Sequence, residues 1–157
     1  LNIYCKGDAS ADYPYTVLLE HDTDVPSPSM MPLLRALSQR GMRACVYDRS
    51  GYGWSTRTKN RLPLSTRAAQ AAELLEMAGE RPPFVVGAHG RGGFVAVEYA
   101  ARYNESVAGI VLMDSYLIGQ REKEIARIYH NNYKGSVNDV LGKEDALRAF
   151  APFGAAH

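Results

Sequence analysis

Chemistry in this chain would centre on Val85-Val86-Gly87-Ala88-His89-Gly90-Arg91-Gly92-Gly93-Phe94-Val95-Ala96-Val97. An apolar β-branched run, a glycine-rich turn and a second apolar run predict a buried strand, a tight turn and a helix. A turn of that shape can hold a nucleophile at its strained apex, with small flanking residues letting strand and helix approach and the next backbone N–H ready for a developing oxyanion. His89 sits beside the apex, Arg91 follows it, and the apex itself is Gly90, which has no side chain to attack anything.

Other stretches extend the pattern. Tyr47-Asp48-Arg49-Ser50-Gly51-Tyr52-Gly53-Trp54-Ser55 resembles the D-R-x-G-x-G-x-S loop that follows strand four of α/β-hydrolases, and Val107 to Ser115 resembles their strand six. Leu1 to Gly7 and Tyr15 to Asp22 resemble strands two and three. The chain is therefore identified as a relative of the α/β-hydrolase family of esterase, prolyl-iminopeptidase and epoxide-hydrolase-like type, over roughly residues 1–118. The resemblance implies a three-layer α/β/α fold with a mainly parallel sheet, the N-terminal half of the hydrolase fold, with strands near 1–5, 15–20, 43–48, 83–88 and 108–113 in family order 2-4-3-5-6.

The same resemblance assigns roles. Gly90 takes the place of the nucleophilic serine, and Asp22 takes the glycine position of the loop that supplies the second oxyanion donor. A carboxylate there opposes a developing negative charge. The two changes read as independent defects and point to natural loss of activity. Asp114, at the end of strand six, stands where some relatives keep the acid of the triad, and equally reads as a strand-end turn residue. His89 reads as a packing residue, since a base must face a nucleophile. His21 reads as a polar residue of the altered oxyanion loop. Arg91 either supplies an N–H and a guanidinium to an anion or is a surface arginine pairing with Asp22 or Asp114. Gly51 and Gly53 read as turn residues and Trp54 as lining a pocket or an interface. The family's usual acid and histidine follow strands seven and eight, which this chain does not reach.

The elements that must position these groups alternate along the chain. Leu33, Leu34 and Leu37 recur at helical spacing before Gly41; Ser65 or Thr66 is expected to cap a second helix striped by Ala68, Ala72 and Leu75 and stopped by Gly79. A third helix runs from the glycine turn to about Tyr103. From Gly119 the character changes: Ile125, Ile128, Tyr129, Leu147 and Phe150 predict helices, so residues 1–118 are expected to form the core and 119–157 a cap-like tail. His130 and His157 fall in that tail and read as solvated.

Composition narrows the function classes. With 157 residues, 46% of them hydrophobic, and a net charge of +1, the chain supports one ordinary core and shows no basic patch for nucleic acid. Its apolar runs are far short of the roughly 20 residues that a membrane helix needs. The two cysteines, Cys5 and Cys45, lack metal-ligand spacing and read first as free buried thiols, although the family's strand order makes their strands neighbours and keeps a disulfide open. No cofactor or metal is implied. The chain opens on Leu, which suits a processed product or a piece of a longer one. Three functions compete: a catalytically inactive hydrolase-like subunit of a larger assembly, whose partner chains cover strand six and the tail; a serine hydrolase seen incomplete or substituted; and a small-molecule binding module reusing the old pocket.

Overall fold

The computed structural model describes residues 1–8, 13–58 and 62–115. The chain divides after Tyr116 into two units, and the second, with the expected cap-like helices of 119–157, lies outside the described residues.

Five strands form one sheet: β1 Asn2–Lys6, β2 Thr16–Glu20, β3 Arg43–Asp48, β4 Phe84–His89 and β5 Val107–Met113. Their order is β1-β3-β2-β4-β5, the order that the resemblance implies. β2, β3, β4 and β5 run parallel, and β1 pairs antiparallel with β3. The central strands are apolar runs covered on both faces, as parallel strands require; all five residues of β2 are buried.

Helices cover the two faces. On one side α1, Met31–Gln39, entered through a 3-10 turn at Ser27–Met30, drives Leu34 against Val17, Leu19, Ala44 and Val46. On the other, α2, Leu64–Met77, and α3, Gly92–Arg102, pack on Leu18, Tyr47, Val86 and Ala88. A fully buried leucine such as Leu34 or Leu75 contributes roughly 1.5–3 kcal/mol. α2 differs from expectation at its start: Pro63 is its N-cap and no side chain caps it, so Ser65 and Thr66 lie inside the first turn.

The cysteines also differ from expectation. Cys5 and Cys45 are direct partners across the β1–β3 ladder, and they are joined as a disulfide. A sequence separation of 40 hides that adjacency, which arises only when β1 folds back antiparallel along β3.

The sheet edge at β5 is less covered than the centre. None of its residues is fully buried, and Val111 is 52% exposed. No helix among the described residues is long and apolar enough to cross a membrane.

Candidate functional site

From β2 the chain crosses to β3 on one side, and from β4 it crosses to β5 on the other. The order in which strands are added therefore reverses between the parallel strands β2 and β4. In open α/β sheets the crevice outside the strand ends at such a point is where ligands bind. The residues that leave β2 and β4 there are His21-Asp22 and Gly90-Arg91.

The glycine turn survives as a turn. Gly90 has φ +54°, a left-handed conformation that costs a side-chain-bearing residue, and its N–H donates to the Met113 carbonyl at 3.2 Å. Gly92 lets α3 start against the end of β2: a Cβ there would lie 2.6 Å from the His21 carbonyl oxygen and 2.8 Å from that of Glu20. Gly93 does the same against Ser115, whose Oγ donates to the Ala88 carbonyl at 3.1 Å. Strand, turn and helix thus approach as closely as the small residues predict.

The apex is filled from the neighbouring strand. A Cβ on Gly90 would lie 2.6 Å from Asp22 Oδ1 and closer still to Cγ and Oδ2. Asp22 Oδ1 accepts the Arg91 N–H at 2.8 Å and the Thr23 N–H at 2.6 Å. The backbone donor that follows the apex is thereby taken by the chain's own carboxylate. Gly90 and Asp22 are accordingly coupled: the space a Cβ at 90 would take is where the carboxylate at 22 sits. Charge-assisted hydrogen bonds of this kind are about twice as strong as neutral ones.

Asp22 is held by a buried polar cluster that composition alone does not reveal. His21 opens the loop after β2 and is fully buried there; its Nδ1 faces the Asp22 carbonyl at 2.8 Å, and a carbonyl can only accept, so Nδ1 carries the hydrogen. Burial first, and the Arg49 guanidinium second, push the His21 imidazole down to about 4, which keeps it neutral near pH 7. Arg49 Nη2 donates to the Asp22 carbonyl at 2.8 Å, and Arg49 Nη1 lies 3.5 Å from Glu20 Oε2. Tyr47 donates its hydroxyl to Glu20 Oε1. Burial pushes the Glu20 carboxyl up, against the pull of Arg49 and Tyr47 in the other direction. The Tyr52 ring packs on His21 with centroids 5.1 Å apart, and the Arg49 guanidinium lies 5.3 Å from its centroid.

Asp48 anchors the adjoining loop. Its carboxylate accepts the N–H of Ser27 at 3.1 Å and of Trp54 at 3.2 Å. Burial pushes this carboxyl up, but the hydrogen bonds from Ser27, Trp54 and Asn2 together outweigh it and hold it below its ordinary range. Trp54 itself is 76% exposed.

The remaining candidates are not drawn together around the apex. His89 ends β4, half-buried, and its ring makes no hydrogen bond to a described residue. Asp114 is exposed at a positive-φ turn after β5 and forms no hydrogen bond or ion pair among the described residues. The Arg91 side chain is exposed and forms no ion pair there with Asp22 or Asp114; its contribution is the backbone N–H. His130 and His157 lie outside the described residues. Sequence reasoning singled out Gly90, Asp22 and Arg91, which the structure brings together, and passed over Glu20, Tyr47 and Arg49. The charged Glu20 at the end of an otherwise apolar strand was the available signal.

Known proteins give the same frame. Residues 22–147 match the α/β hydrolase fold family. An uncharacterized protein of Bacillus subtilis is 25% identical over 114 residues, covering 73% of this chain and 34% of that protein, and one of Schizosaccharomyces pombe is 37% identical over 73 residues, covering 46% and 14%. Among solved structures, a probable hydrolytic enzyme of Pseudomonas aeruginosa superposes with a TM-score of 0.69 at 21% identity, covering 91% of this chain and 47% of that one. A thermophilic esterase of Thermogutta terrifontis superposes at 0.66 and 22%, covering 83% and 47%. The chain thus spans about half of these solved structures, and 34% and 14% of the two curated relatives. With the family matched over most of its length and the strand order and turn in place, this chain belongs to the α/β hydrolase fold family.

Proposed function

We propose that this chain is a catalytically inactive α/β-hydrolase-like protein that serves as a structural subunit of a larger assembly. The observation that carries the reading is the Asp22 carboxylate seated over Gly90 with the Arg91 N–H in its grasp. Serine-type acyl transfer needs a nucleophile, a base to take its proton and free donors for the oxyanion. Here the first is missing and one of the donors is spent. A negative charge at that spot raises the barrier to forming an oxyanion instead of lowering it. In this reading Gly90, His89, Arg91, His21, Asp22 and Asp114 are the altered remnants of a catalytic centre, residues 1–118 the core and 119–157 a cap-like tail.

The assembly role draws on β5. Its mixed apolar sequence Val107-Ala108-Gly109-Ile110-Val111-Leu112-Met113 suits a strand with neighbours on both sides, whereas its side chains are at best half-buried. Protein lying along β5 would remove that liability, and a stable contact buries on the order of 1,000 Å² or more. Light scattering coupled to size-exclusion chromatography of the 157-residue chain tests this. The reading expects self-association or a requirement for a partner; a soluble, cooperatively melting monomer contradicts it and favours a small-molecule binding module.

A further inference from the structure

The disulfide has an acidic neighbour, Glu80, that lies outside the crevice and is held in place by Arg43 and Thr16. The sulfurs of Cys5 and Cys45 and a carboxylate oxygen of Glu80 all lie within 4.8 Å of one another. Glu80 follows α2, and Cys45 and Glu80 are buried while Cys5 is half-buried at the β1 edge. We propose that, once a thiol reductant has opened the Cys5–Cys45 bond, the two thiolates and the Glu80 carboxylate form a three-ligand site for Zn²⁺, completed by a water.

The donor set suits that ion. Zinc takes cysteine sulfur at about 2.3 Å and carboxylate oxygen at about 2.0–2.2 Å in a tetrahedron, which sets neighbouring donors about 3.6–3.8 Å apart. Opening the disulfide lets the sulfurs separate to that spacing, and the Glu80 oxygen has only about 1 Å to travel. The carboxylate is already oriented: Arg43 Nε and Nη2 donate to it at 2.8 and 2.6 Å, the Thr16 hydroxyl donates to Oε2 at 3.2 Å, and Arg43 Nη1 is tied to the Gly7 carbonyl at 2.7 Å. Hydrogen-bonded partners behind a ligating carboxylate are the usual support of a metal site. Charge also balances, because the two charges of zinc and the one of Arg43 match two thiolates and one carboxylate. In the oxidised chain Arg43 and Thr16 hold this buried carboxylate, and the disulfide itself offers it no donor. The long gap between the cysteines is why the sequence shows no metal-ligand spacing.

The chemistry closes without further reactants. Two thiols of the reductant supply two electrons to the S–S bond and leave as their own disulfide, giving two cysteine thiols; these release two protons as zinc binds. The same pair of strands is therefore pinned covalently under oxidising conditions and by metal under reducing ones.

The test uses the full chain, reduced with a phosphine and desalted without oxygen, and titrated with Zn²⁺ against a chromophoric chelator or with Co²⁺. One equivalent of zinc should bind the reduced chain, less than a tenth of that the oxidised chain or the Cys5→Ser/Cys45→Ser variant, and Co²⁺ should show thiolate charge-transfer absorption. Glu80→Gln should weaken zinc at least tenfold. Equal zinc uptake by oxidised and reduced chain, no stoichiometric uptake at all, or unchanged affinity in Glu80→Gln overturns the site. Should the reduced chain or Glu80→Gln lose its circular-dichroism spectrum, zinc must restore it to the reduced wild-type chain, and failure to do so overturns the site as well.

Discussion

Placing a serine at position 90 should damage the protein, and the damage should depend on Asp22. The Gly90 backbone is at φ +54°, so a serine there costs about 1–2 kcal/mol before any contact is counted. Its Cβ would occupy the Asp22 carboxylate's place, 2.6 Å from Oδ1. Expelling that carboxylate loses the charge-assisted bond from the Arg91 N–H, worth about 1.5–3 kcal/mol. Gly90→Ser is thus expected to cost about 2.5–5 kcal/mol, and Asp22→Gly about 1.5–3 kcal/mol by losing the same bond. In the double variant that bond is lost only once, so its cost should fall short of the sum of the single ones by about 1.5–3 kcal/mol. Urea unfolding of the four chains, with the slopes compared to confirm a common denatured state, measures this coupling. Additivity to within about 0.5 kcal/mol would refute the claim that the two positions share one space.

Other perturbations follow from the same contacts. Gly92→Ala should destabilise more than Gly93→Ala, by urea midpoint, because its new methyl meets the backbone of Glu20 and His21 whereas that at 93 meets the Ser115 side chain; overpacking of this kind costs about 1–3 kcal/mol. His21 is depressed in the fold to about 4 from 6.5, so the unfolded chain binds the proton first as pH falls. Its stabilising contribution is complete above pH 6.5 and lost on descending through 4, up to about 3 kcal/mol, and an NMR titration should find the imidazole midpoint near 4. Without zinc, Cys5→Ser/Cys45→Ser should lower stability by about 4 kcal/mol if the chain-entropy account of a loop closed over 40 residues holds, read as a lower urea midpoint than the oxidised parent.

How much of this was legible beforehand depends on whether a feature is local. The strands at Thr16–Glu20, Arg43–Asp48 and Phe84–His89 are short apolar runs bounded by turn residues, and the glycine turn carries its geometry in its own composition, so sequence reasoning finds them within a residue or two. The strand order came from the family likeness. What the sequence hides is lateral: that Asp22 lies under residue 90, that Cys5 faces Cys45, and that Glu20, Tyr47, Arg49 and His21 close one buried cluster. Each of those contacts joins residues 27 to 69 positions apart or more nearly adjacent ones whose burial depends on the far partner. Ser65 and Thr66 failed as caps because α2 already begins at Leu64, which places both inside its first turn.

The central claim is that the carboxylate at Asp22 has replaced serine chemistry at Gly90. Incubating the purified chain with a fluorophosphonate probe and measuring its intact mass tests it most directly. The account predicts an unmodified mass under conditions in which an active esterase of this fold is labelled to completion; a stoichiometric phosphonyl adduct mapped to the crevice between β2 and β4 would contradict it.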